Sequence, residues 1–405
     1  VIRLKPCRKE YAKETQRAVP PEETRDRVRV RLPAAGITRI ADITNLDRIG
    51  IPVFSGIRPT AGEGAISVYN GKGATPVEAE VSAMMEGIER YSAECGGTSL
   101  ITARYADLAG KENVLDPADL ILPARAPADQ PLPWVTGYDI AREEEILVPA
   151  HAVFHPLPAT AGRLFRTNTN GLASGNTLEE AIFHALMEVV ERDAWSIVET
   201  LRATGPEVTG IADGLAAELL EKFAAASVEV RIKDITSDIG IPTFAAVADD
   251  VLLKDPTLLT IGMGSHTNAE IAALRALTEV AQSRLTQIHG AREDTDTADI
   301  RKKIGYERTK RLNRHWFAEA EGREISTISS FDSDDFLTDI TYTVSMLEKA
   351  GLDRVIAVDL TRPEIGIPVV RVIVPGLEVS AMDQERVGAR CRDARRNHIS
   401  RTQSR

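Results

Sequence analysis

One pattern occurs three times along this chain and limits its fold more than any other feature. It reads Thr75-Pro-Val-Glu78 leading to Glu86-Gly-Ile-Glu89-Arg90, then Thr177-Leu-Glu-Glu180 leading to Glu188-Val-Val-Glu191-Arg192, and last Thr267-Asn-Ala-Glu270 leading to Glu279-Val-Ala-Gln282-Ser-Arg284. A threonine followed three residues later by glutamate is a helix-start signature: the hydroxyl accepts an orphan backbone N–H and the carboxylate reaches back. Three helices are therefore expected, opening at Thr75, Thr177 and Thr267. Acids three apart share a helix face, and alanines recur seven and three residues before the first acid (Ala79 and Ala83, Ala181 and Ala185, Ala272 and Ala276). The small side chains predict helices packed closely on one another, with Glu86, Glu89, Glu188, Glu191 and Glu279 facing a single point.

Five like charges brought together repel, and such a cluster is tolerable only around cations. Oxygen-only donors select magnesium or calcium over zinc. An arginine near the end of each acidic stretch is either a surface ion pair or a clamp for phosphate oxygens, and the triplication favours the clamp. Glycine-bearing chain precedes each helix: Asn70-Gly-Lys-Gly-Ala-Thr75, Asn170-Gly-Leu-Ala-Ser-Gly-Asn-Thr177 and Gly262-Met-Gly-Ser-His-Thr267. Glycines let backbone N–H groups at a helix start approach an anion, which makes these segments candidate phosphate cradles. None is a Walker A loop, and Lys72 is either a phosphate contact or a turn residue.

A second repeat runs beside the first. Asp42-Ile-Thr leads to Gly50-Ile-Pro-Val, Asp139-Ile to Leu147-Val-Pro-Ala, Asp234-Ile-Thr to Gly240-Ile-Pro-Thr-Phe, and Asp359-Leu-Thr to Gly366-Ile-Pro-Val-Val. Each reads as a hairpin with proline at a strand start, and the first three precede the capped helices. The expected fold class is α+β: repeated β-hairpin plus helix units, antiparallel sheet packed on helices, and a central site of ATP size where the acidic faces meet.

The 405 residues, 43% hydrophobic and 27% charged, suffice for a large core without a composition break. A net charge of −11 argues against general nucleic-acid binding, although Arg386, Arg390, Arg392, Arg395, Arg396, Arg401 and Arg405 make a basic C-terminal stretch. No apolar run reaches the roughly 20 residues of a membrane span, so no membrane partner and a cytoplasmic location are expected. Cys7, Cys95 and Cys391 lack metal spacing and fit a reducing compartment; Cys95 reads as a sulfur relay or, more simply, a buried thiol. Prolines at 149 and 156 oppose a helical zinc pair at His151 and His155, which should flank or extend a strand instead. The charged segment from Arg292 to Asp339, with a helical stretch near Arg308 to Glu319, is a candidate lid or partner surface.

The three acidic motifs with their glycine-bearing leaders closely resemble the ATP-binding motifs of the YcaO superfamily, with Ser82-Ala-Met-Met-Glu86 and Arg275-Ala-Leu-Thr-Glu279 included and the match running from about Ala61 to Pro375. Members use ATP to activate a backbone amide oxygen, forming azolines, amidines or thioamides. Arg17-Ala-Val-Pro-Pro-Glu-Glu-Thr24 and Gly366-Ile-Pro-Val-Val-Arg-Val-Ile-Val-Pro-Gly-Leu-Glu378 resemble the methanogen subgroup termed methanogenesis marker protein 1. That likeness implies thioamidation of a glycine in the methyl-coenzyme M reductase α subunit with a TfuA-like protein and a sulfide source as partners; homodimerisation stays open. The Pro-x-Pro-x-Pro terminus of azoline-forming cyclodehydratases is absent from this sequence, which weakens that alternative. A noncatalytic nucleotide-binding partner protein is the second alternative.

The resemblance implies ATP and Mg2+ as cofactors and assigns roles by position. Glu86, Glu89, Glu188, Glu191 and Glu279 would hold the metal, with the first four and Arg192 catalytic. Arg192 and Arg284 would contact phosphates, supported by Ser82, Asn176 and Gln282. Glu180 aligns with an ATP-site acid, a position its capping role explains equally well, and Arg17 and Thr24 stand where the family places a nucleotide-contacting lysine and serine. Residues 1–60 would then be an N-terminal segment contributing to the nucleotide site, 61–380 the catalytic domain and 381–405 a basic tail.

Overall fold

The structure, a computed structural model, describes residues 2–12, 15–96, 98–127, 129–291 and 297–403. Each expected hairpin forms. The first joins β1 (Arg39–Asp42) to β2 (Val53–Ile57), and β3 (Val68–Lys72) completes a three-stranded sheet in the order β1-β2-β3. The second joins β4 (Leu132–Asp139) to β5 (Glu144–Pro149) and is followed by β6 (Leu172–Ser174). The third joins β7 (Val228–Asp234) to β8 (Thr243–Asp250), with β9 (Thr260–Ser265) as the next antiparallel neighbour. The fourth, β10 (Ile356–Asp359) and β11 (Val369–Ile373), inserts between β4 and β6. Among the described strands pairing is antiparallel except where short strand Glu207–Thr209 meets Gly322–Glu324 in parallel; isolated parallel bridges join Ala109 to Glu112 and Val114 to Leu147.

The aspartate that closes each first strand has a common task. Its carboxylate accepts the N–H two residues on: Asp42 from Thr44 at 2.9 Å, Asp139 from Ala141 at 3.1 Å, Asp234 from Thr236 at 3.0 Å and Asp359 from Thr361 at 2.9 Å. These Asx turns satisfy a backbone donor where the ladder ends and turn the chain. Pro52, Pro242 and Pro368 stand immediately before the returning strands, whereas Pro149 closes β5 instead of opening it.

Among the described residues nine helices have at least seven residues. They are α1 (Pro21–Arg29), α2 (Pro76–Ser92), α3 (Leu178–Leu201), α4 (Gly214–Ala225), α5 (Ala269–His289), α6 (Thr297–Ile304), α7 (Tyr306–Leu312), α8 (Phe336–Lys349) and α9 (Ala389–Gln403). Helices α2, α3 and α5 carry the repeated motif. At α2 the complete capping box forms between Thr75 and Glu78. At α3 Thr177 caps Glu180 N–H, but the Glu180 carboxylate turns to the Asn176 backbone at 3.2 Å. At α5 the cap is shifted by one: Asn268, not Thr267, accepts from Glu270 and Ile271. Asparagine competes well for an N-cap, and its side chain reaches both orphan donors from this position.

The alanine rows of α2 and α5 bring the helix onto a strand, where the sequence predicted helix against helix. A side chain at Gly71 would meet Ala83 N at 1.9 Å and Ala79 O at 2.5 Å, and one at Gly264 would meet Ala272 O at 2.2 Å and Ala276 N at 2.5 Å. Helix backbone thus lies directly on glycine-bearing strands, and Ala79, Ala83, Ala272 and Ala276 are fully buried. The acids one to three turns further along are left to line a common space. Gly73 has a similar reason: a Cβ there would strike Ala79 N and the Glu78 side chain, both at 2.5 Å. Close packing at the helix start requires it, whether or not an anion is bound.

The segment expected to be a basic tail is folded at its root. Arg386 donates to the Leu120 and Ile121 carbonyls at 2.6 and 2.8 Å. Arg390, at the start of α9, donates to Asp193 of α3 at 2.9 and 2.8 Å. Arg392, Arg395 and Arg396 are exposed on α9, and Arg405 lies outside the described residues. His151 and His155 follow β5; His155 Nδ1 lies 2.9 Å from Thr167 Oγ1. Among the described residues no helix is long and apolar enough to cross a membrane.

Candidate active site

The acidic stretches of α2, α3 and α5 enclose a cavity of about 740 Å³. Helix α3 is its spine: Glu180, His184, Glu188, Glu191, Arg192, Trp195 and Glu199 line it, and Asn176 lines it just before the helix cap. Steps of four and three residues keep these side chains on one helix face. Positions 178–201 form an uninterrupted helix, so the face is a rigid support.

In the middle of the cavity the five carboxylates are present, but not at one point. Among the described residues, no three acidic, histidine or cysteine groups converge closely enough to hold one ion. Each acid is drawn to its own partner. Arg90 donates to Glu86 at 2.8 and 2.6 Å, and Ser174 gives Glu89 its N–H at 2.9 Å and its hydroxyl at 2.7 Å. Arg192 lies 3.8 Å from Glu188 and 3.7 Å from Glu191, while Lys72 is ion-paired to Glu279. Like charges lie apart, each beside a cation or hydrogen-bond donor, and the expected point of convergence is a ring.

The ring is short of positive charge. Burial, then neighbouring Glu86, pushes Glu89 up to about 8 despite the Ser174 hydrogen bonds. Burial raises Glu188 to about 7, with Glu191 and Glu86 adding to it and Arg192 opposing. Glu191 is also raised, by burial and Glu279. Glu279 feels the same burial but is held below its ordinary value on balance by Lys72 and Arg192. Hard oxygen donors whose ionisation is opposed by burial and by one another suit a divalent cation such as Mg2+.

At one end of α3 stand the residues from the N-terminal segment. Thr24 on α1 donates to Asn176 Oδ1 at 2.9 Å, beside Arg27 at 2.7 Å. The Glu180 carboxylate accepts from Ala18 N–H at 3.1 Å and lies 3.7 Å from Arg17 Nε. Arg17 also contacts the His184 ring, which burial and then Arg17 and Arg275 keep neutral. Ser82 Oγ accepts from Lys72 N–H at 3.2 Å, and the Gln282 amide donates to the Asn70 carbonyl. Arg17, Thr24, Ser82, Asn176, Glu180, Arg192 and Gln282 all line the cavity.

Arg284 is not brought to it. Its guanidinium, with no exposed side-chain surface, donates to Asp47 at 3.0 and 3.2 Å and to Asp250 at 3.1 Å, fastening α5 to the turn of the first hairpin and to the end of β8. The arginine on α5 that does line the cavity is Arg275, whose buried Nε has no hydrogen-bond partner. Sequence spacing contained this signal: Arg275 lies four residues before Glu279, one helical turn along the same face, whereas Arg284 lies five after it. Lys72, Arg90 and His184 are further cavity residues, the first on a strand end where a turn was an open reading.

The far end is different in character. Trp195, Glu199, Ile261, Trp316 and Phe317 line it. Glu199 accepts both indole N–H groups, from Trp316 at 2.9 Å and Trp195 at 3.4 Å. The single turn Arg314–Phe317 belongs to the charged segment read as a candidate lid, of which residues 292–296 lie outside the described part. Within the described part, this segment forms cavity wall.

With this geometry established, the chain can be placed among known proteins. The family model "YcaO cyclodehydratase, ATP-ad Mg2+-binding" matches residues 70–378. The structure of YcaO from Methanopyrus kandleri bound with AMPPCP and Mg2+ is similar, with a TM-score of 0.79 and 32% identity, covering 95% of this chain and 98% of that one. A protein of Methanothermobacter thermautotrophicus is 53% identical over 383 residues, covering 93% of this chain and 99% of its own length. A Rhizobium leguminosarum bv. trifolii protein in the tfuA 3′ region is 32% identical over 384 residues, covering 91% of this chain and 90% of its own length. Fold and site define an ATP-dependent, Mg2+-binding enzyme. The chain belongs to the YcaO family.

Proposed function

We propose that the protein converts a backbone amide of a protein substrate into a thioamide, at a glycine of the methyl-coenzyme M reductase α subunit, consuming ATP and an external sulfide source with the help of a TfuA-like protein. The observation that carries the reading is the complete set of acids and cations on one cavity: Glu86, Glu89, Glu188, Glu191 and Glu279 with Arg90, Arg192, Arg275 and Lys72. A protein that only bound nucleotide would need fewer charges than one that transfers phosphoryl groups. The similarity to a protein from a tfuA region supports the partner.

Glu86, Glu89, Glu188, Glu191 and Glu279 would hold the metal, and Arg192 and Arg275 would face the phosphates. Mg2+-ATP, when bound, supplies the phosphoryl group that turns a peptide carbonyl oxygen into a phosphate leaving group. The side chains' contribution is charge neutralisation and alignment; Arg192 is held for this by Glu188 and Glu191. Sulfide then adds to the carbonyl carbon, the C–O bond breaks with loss of phosphate, and C=S remains. Cys7, Cys95 and Cys391 are not among the residues around the cavity, which supports sulfur arriving from outside.

The description "cyclodehydratase" favours a second reading, azoline formation, in which a substrate Cys, Ser or Thr attacks in place of sulfide. Mass spectrometry of methyl-coenzyme M reductase from a deletion strain separates the two. Loss of the mass gained when glycine oxygen becomes sulfur supports thioamidation; an unchanged glycine refutes that substrate.

A further inference from the structure

The cavity is longer than the charged ring needs. From Glu180 to Glu199 its α3 face spans 19 residue steps, about 28 Å at 1.5 Å per residue. The carboxylates and their cations occupy the centre, and Arg17, Thr24, Asn176 and Glu180 the N-terminal end. The last two turns, about 10 Å from Arg192 to Glu199, carry a different surface. There the walls are Trp195, Trp316, Phe317 and Ile261, and Thr260 and Thr309 also line the cavity. The hydroxyls of both threonines have no hydrogen-bond partner, though both residues are more than nine-tenths buried. Trp195 joins this end to the ring: the Arg192 guanidinium lies over its indole, 5.4 Å from the centroid.

The geometry points to an acceptor-peptide slot at this end. We infer that an extended peptide segment centred on glycine lies against the half-buried rings of Trp195 and Phe317 and strand β9, with the buried Trp316 behind them, presenting its carbonyl oxygen toward Arg192. This inference deepens the thioamidase reading and rests on it for the identity of the peptide. Aromatic faces offer large apolar contact at low entropic cost, and glycine, lacking Cβ, lets a backbone carbonyl approach closely. Glu199 positions the slot by holding two of its walls through their indole N–H groups. An adenine ring would stack on the same aromatic surface, so nucleotide affinity is read beside peptide affinity.

The test uses the full-length protein with Mg2+ and AMPPCP and a peptide spanning the reductase glycine that carries a photo-crosslinker beside it. Crosslinks in wild-type protein are expected at 195–199, 259–261 and 309–317. Phe317→Ala and Ile261→Ala are expected to weaken peptide binding about tenfold each while AMPPCP affinity stays within about twofold. Crosslinks elsewhere, absence of saturable peptide binding, or loss of AMPPCP affinity in place of peptide affinity would overturn the slot. Crosslinks in the slot without thioamide formation under turnover conditions would instead sink the chemistry and leave the slot standing. Because crosslinking is read on wild-type protein, misfolding of a variant does not decide it.

Discussion

Lys72 at the end of β3 and Glu279 in the middle of α5, 207 positions apart in sequence, form an ion pair across the cavity, each side chain about one-fifth exposed. The pair places a built-in monovalent cation on one of the acids proposed to hold metal. Lys72→Met should therefore make the ligand-free protein depend on Mg2+ for stability. A loss of roughly 1–2 kcal/mol is expected without Mg2+, less than for a fully buried pair because of the exposure, with recovery when Mg2+ is added. Thermal denaturation with and without Mg2+ reads this directly; equal losses in both conditions would make Lys72 a purely structural partner.

Glu188→Gln and Glu191→Gln are expected to abolish ATP turnover and leave the fold intact. Because burial already opposes ionisation of both acids, each change should raise ligand-free stability at pH 8, by on the order of 1–3 kcal/mol for Glu188. Glu188 keeps 26% of its side-chain surface open, so the lower part of that range is expected. Normal turnover, or a collapsed ligand-free fold, would contradict the site.

Glu89 rises from 4.5 to about 8 and Glu188 from 4.5 to about 7. A carboxyl raised on folding stabilises while protonated, so ligand-free stability falls as pH climbs from about 5 to about 8. Mg2+-AMPPCP must displace those protons, and its affinity should rise over the upper part of the same window. Calorimetry at pH 7 in two buffers of different ionisation enthalpy should show proton release. Proton uptake, or none, would remove Glu89 and Glu188 from the metal set.

Arg275 and Arg284 should separate cleanly. Arg275→Gln removes a cavity cation without a hydrogen-bond partner and should weaken AMPPCP binding about tenfold at nearly unchanged stability. Arg284→Gln leaves Asp47 buried without its cation and Asp250 with Arg48 alone, at a cost of about 3 kcal/mol. Nucleotide titration and denaturant unfolding of both variants check this; the reverse pattern would restore Arg284 to the phosphate site.

What the sequence revealed was local and periodic. The helices at Thr75 and Thr177, all four hairpins and the acids lining the cavity follow from caps, strand alternation and spacing by three or four. The α5 cap moved to Asn268 because two good capping residues stand side by side, and spacing cannot choose between them. The alanine rows were ambiguous for another reason: small residues announce close approach without saying to what, and here the neighbours are Gly71 and Gly264 on strands. Arg284 misleads because an arginine near acids looks the same whether its partners are phosphates or aspartates brought from positions 47 and 250. The aromatic end had no sequence signature, since Trp195, Ile261 and Trp316 meet only through the tertiary fold.

Direct reconstitution tests the central claim. The protein, with its TfuA-like partner, is incubated with a peptide spanning the reductase glycine, ATP, Mg2+ and Na2S, and the peptide mass and nucleotide products are followed together. The thioamidase account predicts a mass gain on glycine equal to replacing one oxygen by one sulfur, requiring every component and matched by ADP and phosphate. Loss of water from a neighbouring Cys, Ser or Thr would identify a cyclodehydratase instead, and release of AMP would contradict phosphoryl transfer to the amide oxygen.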